Sequence, residues 1–302
     1  MVSATQSARL KLEREMNPMD VREENPAAHF DIQFWGVRGQ VAAPGQDTLR
    51  YGGNTSCVEM RLNDKRLIFD GGTGLRQLGN SLLGQMPVEA HLFFTDYHWD
   101  RIQGFPFFVP GFIPINRFHI YGAGTLDGTT FKERLQAQML GPNFPVPMQV
   151  MQSAMEFHNL TENKTYQLDD VLVEAKFLKE TCPSLAYRIQ YQGKSVVYAT
   201  ETQALFEGCY DLLLELTKGA ELVILDAPMV LRQGESKLKL ASLNSSLHSR
   251  MTLAKESRAK EVVLSMYHPD DDDNFLDTVE QKLRAITPNI CLAREGMVVS
   301  VC

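Results

Sequence analysis

The sequence predicts an α/β fold in which two β-sheets pack face to face with helices on the outside. Two observations predict it. From residue 30 onward, apolar runs of strand type alternate with Gly-rich and Asn/Asp turns. A strand-rich stretch followed by helix and strand then recurs in the second half, which closes on regularly alternating helices and strands. With 302 residues, 44% of them hydrophobic, the chain is long enough to bury a sizeable core.

The elements follow in order. Residues 1–28 are charged, end near Asn25-Pro26, and read as an N-terminal extension with helical character, ahead of a single domain over 29–302. Residues 30–35 form a short strand, followed by the turn-rich GVRGQVAAPGQ. Residues 56–62 and 66–70 alternate apolar and polar around Asn63-Asp64-Lys65, a hairpin pattern. The turn Asp70-Gly71-Gly72-Thr73-Gly74 leads into a helix over LRQLGNSLLGQM, then a buried-type strand VEAHLFFT and the segment DYHWDRIQGFPFF. Later strands fall on 171–177, LAYRIQYQ, SVVYAT, ELVILDA and KEVVLSMYH. Helices fall on 205–219, closed by Gly219, and on 243–258 and 274–285. The acidic run 270–273 suits a helix N-terminus, where carboxylates meet the positive end of the macrodipole.

Composition excludes several classes. Thirty Lys+Arg against 37 Asp+Glu leave a formal charge of −7, without the concentrated basic surface that nucleic-acid binding requires. Cys57, Cys182, Cys209, Cys291 and Cys302 are odd in number and lack Cys-x-x-Cys spacing, which argues against a disulfide framework and a zinc knuckle. No signal-peptide core is visible and no apolar run is long enough to span a bilayer, so a cytoplasmic location is expected.

The ordered blocks FWGVRG, RYGGNTSCVE, LIFDGGTGLRQLG, HLFFTDYHWDRIQGFPFF, SVVYATET and LVILDA resemble the metallo-β-lactamase superfamily. The likeness is to a bacterial branch of cyclic-phosphodiesterase-like and other phosphodiesterase-like hydrolases, and it covers roughly residues 30 to 285. It implies a four-layer αββα sandwich of two mixed β-sheets, with the site on loops at one edge. In that family the loop after the fourth strand reads His-x-His-x-Asp-His. Alternate positions of an extended loop project to one side and give one metal two imidazoles, while the following Asp and His serve a second ion. The ion pair activates hydroxide and clamps phosphate.

Carried over position by position, the first His is Asp96, the second is His98, the Asp is Asp100, and the last His is Arg101. Arginine stays protonated and offers no lone pair, so it cannot ligate a metal. The family's next His falls on Glu180, its bridging Asp on Glu201, its Gly-His-Ser-Thr histidine on Asn244, and its last ligand on Met266. His248 and His268 lie close to the last two positions, and a small alignment shift would bring either one back. Asp70 and Asp226 also occupy family positions. His29, His91, His119 and His158 have no such context and are read as structural.

If the fold is kept, Asp96, Asp100, Glu180 and Glu201 converge on His98 and Arg101, four carboxylates against one fixed positive charge. Such crowding must be relieved. The favoured relief is ion pairing of Arg101 with Asp100 and Glu201 in place of the second metal. One alternative is a single divalent ion (Mg²⁺, Mn²⁺ or Zn²⁺) at Asp96, His98, Glu180 and Glu201, and another is that one or two of the carboxylates are protonated or open to solvent. The expected function is accordingly a non-hydrolytic scaffold that binds a ligand or protein partner in the old cleft. A metal-dependent phosphodiesterase with a rebuilt mononuclear site is the alternative. A third possibility is an assembly component that uses the apolar segment GFPFFVPGFIPI (104–115), with Phe105, Phe107, Phe108 and Phe112 as a partner or homo-oligomer surface.

Overall fold

The computed structural model describes residues 29–179, 184–200, 209–227 and 238–301, with side chains of the last segment from 248 onward. In chain order the first sheet is built from β1 (Phe30–Gly36), β2 (Cys57–Leu62), β3 (Lys65–Phe69), β4 (Glu89–Phe93), β5 (Arg117–Ala123) and β6 (Ala154–Leu160). Between them lie α1 (Gly74–Leu82), α2 (Trp99–Ile102) and α3 (Phe131–Ala137). The second sheet takes β7 (Lys164–Leu168), β8 (Val171–Lys179), β9 (Ser184–Tyr191), β10 (Lys194–Ala199), β11 (Leu222–Asp226), β12 (Glu261–Ser265) and β13 (Ile290–Leu292). Its helices are α4 (Tyr210–Thr217), α5 (Leu238–Ser257) and α6 (Asp273–Ile286), and β14 (Val298–Ser300) returns to the first sheet. Among the described residues each sheet has seven strands, in the orders β14-β1-β2-β3-β4-β5-β6 and β13-β12-β11-β10-β9-β8-β7.

Both sheets are mixed. The β1–β2–β3 meander is antiparallel, whereas β3 through β6 run parallel, so the loops after β3, β4, β5 and β6 emerge at one end. Alternation sorts the side chains. On β3 and β4, Leu67, Phe69 and Phe93 join the core between the sheets. Ile68, Ala90 and Leu92 face the other way, onto α1, α3 and residues 102–112. Phe93 stacks on Phe69 at 5.4 Å and on Tyr121 at 4.3 Å, which ties three neighbouring strands together.

Among the described residues the predicted strands and helices are present, with ends shifted by a few residues; the N-terminal extension 1–28 and the start of the helix expected over 205–219 lie outside them. Asp272 caps α6, accepting a 2.8 Å hydrogen bond from the Phe275 amide. Strands β5, β6, β7, β13 and β14 had no counterpart in the sequence reading: RFHIYGA, AMEFHNL and KTYQL mix polar and apolar residues without a clear run, and ICL and VVS are only three residues long. Among the described residues, no helix is long and apolar enough to cross a membrane.

The apolar segment 104–115 is mostly core. Phe105 and Phe108 are fully buried, and Phe112 packs against the same cluster, so these three do not form the partner surface expected of them. Phe107, 53% exposed, faces solvent, as do Val109 and Ile115 of the same segment. The segment folds into two short 3₁₀ turns that lie on α1, and this presses Phe108 inward against Phe118 at 5.0 Å.

Candidate functional site

The DGG turn after β3 and the loop after β4 are built against each other. The Gly71 amide donates to the Arg101 carbonyl at 2.6 Å, the Gly104 amide to Gly71 at 2.8 Å, and the Gly72 amide to Ser56 at 2.8 Å. A Cβ on Gly104 would stand 1.8 Å from the Gly72 carbonyl oxygen, and one on Gly72 would stand 2.4 Å from that of Asp100. Only glycine lets these two backbones approach so closely.

Asp70 ends β3 in the left-handed backbone region, φ +59°, which turns its carboxylate into the gap between the loops. Its Oδ1 accepts from the Thr95 amide at 2.8 Å and the Thr95 hydroxyl at 2.9 Å. Its Oδ2 accepts from the Tyr198 hydroxyl at 2.8 Å and from Arg101 Nη1 at 3.2 Å. Ser56 Oγ lies 2.8 Å from that tyrosine hydroxyl. Burial pushes the Asp70 carboxyl up to about 6; Arg101 opposes the shift, and the nearby Asp96 adds to it.

Arg101, 2% exposed, carries its guanidinium into the middle of this loop cluster. Besides Asp70, Nη1 donates to the Met266 sulfur at 3.0 Å and Nη2 to the Thr200 carbonyl at 3.0 Å. Met266 reaches that position because its backbone, at φ +66°, also lies in the left-handed region. Three strand ends, those of β3, β10 and β12, thus converge on one cation.

Asp96 and Asp100 are placed otherwise. Asp96 is buried and closes on its own loop, with Oδ1 accepting from the His98 amide at 2.8 Å and Oδ2 lying 2.8 Å from His98 Nδ1. Burial opposes the charged form of Asp96, but the His98 hydrogen bond and the charges of Arg101 and His98 outweigh it and hold its pKa below the usual value. His98 is half-exposed at the mouth of the loop. Asp100 Oδ2 accepts from the Gln40 amide at 2.9 Å and stands 3.9 Å from Arg101 Nε.

Arg101 pairs with Asp100 as expected, Nε standing 3.9 Å from Asp100 Oδ2, and it reaches Asp70, a partner the sequence did not point to, at the shorter distance of 3.2 Å. Among the described carboxylates, Asp96 is taken up by His98, and Asp100 also accepts from the Gln40 amide just after the GVRG turn. Glu180 and Glu201 lie outside the described residues. Asn244 sits on α5, with its side chain also outside them. His248 is exposed on α5. His268 Nδ1 accepts from the Asp270 amide at 3.2 Å, and the His268 carbonyl accepts from Arg38. Asp226 pairs with the buried Arg250 at 3.0 Å. The sequence reading missed Thr95, Tyr198 and the Thr200 carbonyl as parts of the site, since a hydroxyl or a carbonyl at a strand end carries no sequence signal.

The described donors do not fit a two-ion centre. Among the described residues, a guanidinium with no lone pair to offer stands at one ligand position as a buried cation, and a weak thioether donor, already accepting from that cation, stands at another. Among the described residues of the loop, Asp96, His98 and Asp100 keep oxygen or nitrogen donors. A cavity of about 590 Å³ opens elsewhere, between loops 124–129 and 159–163 beside Phe177, and includes none of these residues.

No protein-family model matches the sequence, and no curated protein matches it. Solved structures share its fold. YhfI from Bacillus subtilis, a metallo-β-lactamase fold protein, matches with a TM-score of 0.61 at 15% identity, over 90% of this chain and 100% of that one. The short form of human tRNase Z matches with a TM-score of 0.59 at 17% identity, over 90% and 99%. Zinc-bound PqqB from Methylobacterium extorquens matches with a TM-score of 0.58 at 14% identity, over 90% and 100%.

Proposed function

We propose that this chain, which has the metallo-β-lactamase fold, is a non-hydrolytic member of that architecture that binds a ligand or partner at a cleft braced by Arg101. One observation carries the proposal: the Arg101 guanidinium, sealed from solvent, is shared among Asp70, Met266 and the Thr200 carbonyl. A fixed cation there neutralises Asp70 and repels a divalent ion, so the arginine supplies the positive charge that a second metal would otherwise bring. The net charge of −7 favours a small-molecule or protein ligand over RNA, although tRNase Z shares the fold.

The test is the metal content of untagged protein together with an assay on an activated phosphodiester. The expected results are no metal that depends on His98 and no turnover above a His98→Ala control. About two ions per chain, both lost on His98→Ala, would overturn the proposal.

A second reading has its own support. The buried Asp96 carboxylate lies against the half-exposed His98 at the mouth of the loop, a pair able to hold one ion if the His98 ring turns away from the carboxylate. That mononuclear phosphodiesterase requires turnover with Mn²⁺ or Mg²⁺ that a chelator removes and His98→Ala abolishes.

A further inference from the structure

We infer that His119, Glu156 and His158 form a binding site for a borderline transition-metal ion such as Zn²⁺, separate from the metal loop. His119 lies on β5 directly opposite Glu156 on β6, and His158 follows two residues later on the same face. One donor atom from each residue lies within 4.8 Å of the other two.

The spacing suits a metal better than a bare ion-pair cluster. His119 Nδ1 stands 3.3 Å from one Glu156 oxygen, and His158 Nε2 stands 3.5 Å from the other. Ligands held ~2.0–2.2 Å from a tetrahedral zinc lie about 3.3–3.6 Å apart. His158 Nε2 is sealed from solvent and makes no hydrogen bond.

The outer shell is in place as well. His119 Nε2 lies 3.0 Å from a Glu89 oxygen; with the ring proton held there, Nδ1 is the atom that faces Glu156 as a ligand, the carboxylate–histidine arrangement that orients metal ligands. Both ligand rings are held by stacking, His119 on His91 at 4.6 Å and His158 on Tyr121 at 4.3 Å. Two imidazoles and a carboxylate leave a fourth position open to solvent beside the exposed Glu156. His91 pairs with His119 across the strands and precedes Thr95 by four residues, so this row lies about 13 Å down the sheet from the metal loop. An ion here would clamp the edge strand β6 to β5.

The experiment is titration of the full, untagged chain with Co²⁺, read by visible d–d absorption, and with Zn²⁺, read by the thermal midpoint. Wild type is expected to take up one equivalent of Co²⁺ and to melt higher with Zn²⁺. His158→Phe, which keeps the stack on Tyr121, and Glu156→Gln should both lose the band, and Glu89→Gln should weaken binding about 10-fold or more. His98→Ala should leave the band unchanged. Circular dichroism without metal establishes that each variant is folded, and Glu156→Gln carries the test if His158→Phe is not. No Co²⁺ uptake by wild type overturns the inference, as does a band that survives Glu156→Gln or disappears in His98→Ala.

Discussion

Arg101 Nη1 stands 3.2 Å from Asp70 Oδ2, and both residues are at most 2% exposed. This pair joins the loop after β4 to the end of β3. Removing one partner of a buried pair is far more damaging than having neither, because the remaining charge loses its compensation.

Arg101→Met should therefore lower unfolding stability by about 3–5 kcal/mol, read from the urea midpoint. Asp70→Asn combined with Arg101→Met should cost less than the two single changes together, because the double variant strands no charge. Additive losses would show that the two side chains are not coupled.

The carboxyl of Asp70, raised from 3.8 to about 6, sets a pH window. The folded state holds this proton more tightly than the unfolded chain does. The stabilisation is therefore complete below about 4 and is lost as pH climbs to about 6. The contribution is of order 2–3 kcal/mol. Urea midpoints between pH 4 and 7 should fall relative to those of Asp70→Asn, and a relative gain over that window would contradict the placement of the group.

Gly104→Ala places a methyl group 1.8 Å from the Gly72 carbonyl oxygen, where both sides are backbone and cannot yield. A loss above ~3 kcal/mol is expected, or failure to fold. At Gly84, by contrast, a Cβ meets nothing within 4 Å, so Gly84→Ala should be neutral or stabilising by about 0.4–1 kcal/mol. Thermal melts of the pair would compare the two sites directly.

Phe108→Ala should cost about 3–5 kcal/mol, because the ring is fully buried. Phe107→Ser, at the exposed neighbouring position, should stay within ~0.5–1 kcal/mol of wild type. Light scattering on Phe107→Ser reports whether this edge of the segment mediates self-association.

Much of the fold was legible in the sequence because its signals are local. The alternation in CVEMRL and KRLIF, the Asn63-Asp64 turn, the DGGTG turn and the apolar strand ELVILDA each carry their structure within a few residues. The ordered blocks also placed Asp96, His98, Asp100 and Arg101 on one loop, and their residue types alone excluded Arg101 as a ligand. Strands β5 to β7 were not legible, since their apolar positions are few and their stability comes from Phe93, Tyr121 and Tyr166 packing across strands and sheets.

Which groups meet was decided by tertiary structure alone. Asp70 and Arg101 are 31 residues apart, Arg101 and Met266 are 165 apart, and Tyr198 reaches Asp70 across 128. Partner choice at such separations depends on parallel strand ends brought to one edge of the sandwich and on two positive-φ residues, Asp70 and Met266, that turn their side chains inward. The same holds for His119, Glu156 and His158, three unremarkable residues in sequence that the β5–β6 register sets side by side. Sequence thus determined which atoms are chemically able to act at the metal loop, and that an arginine stands at position 101; the sheet register and loop geometry decided that its guanidinium is buried among the strand ends and paired with Asp70.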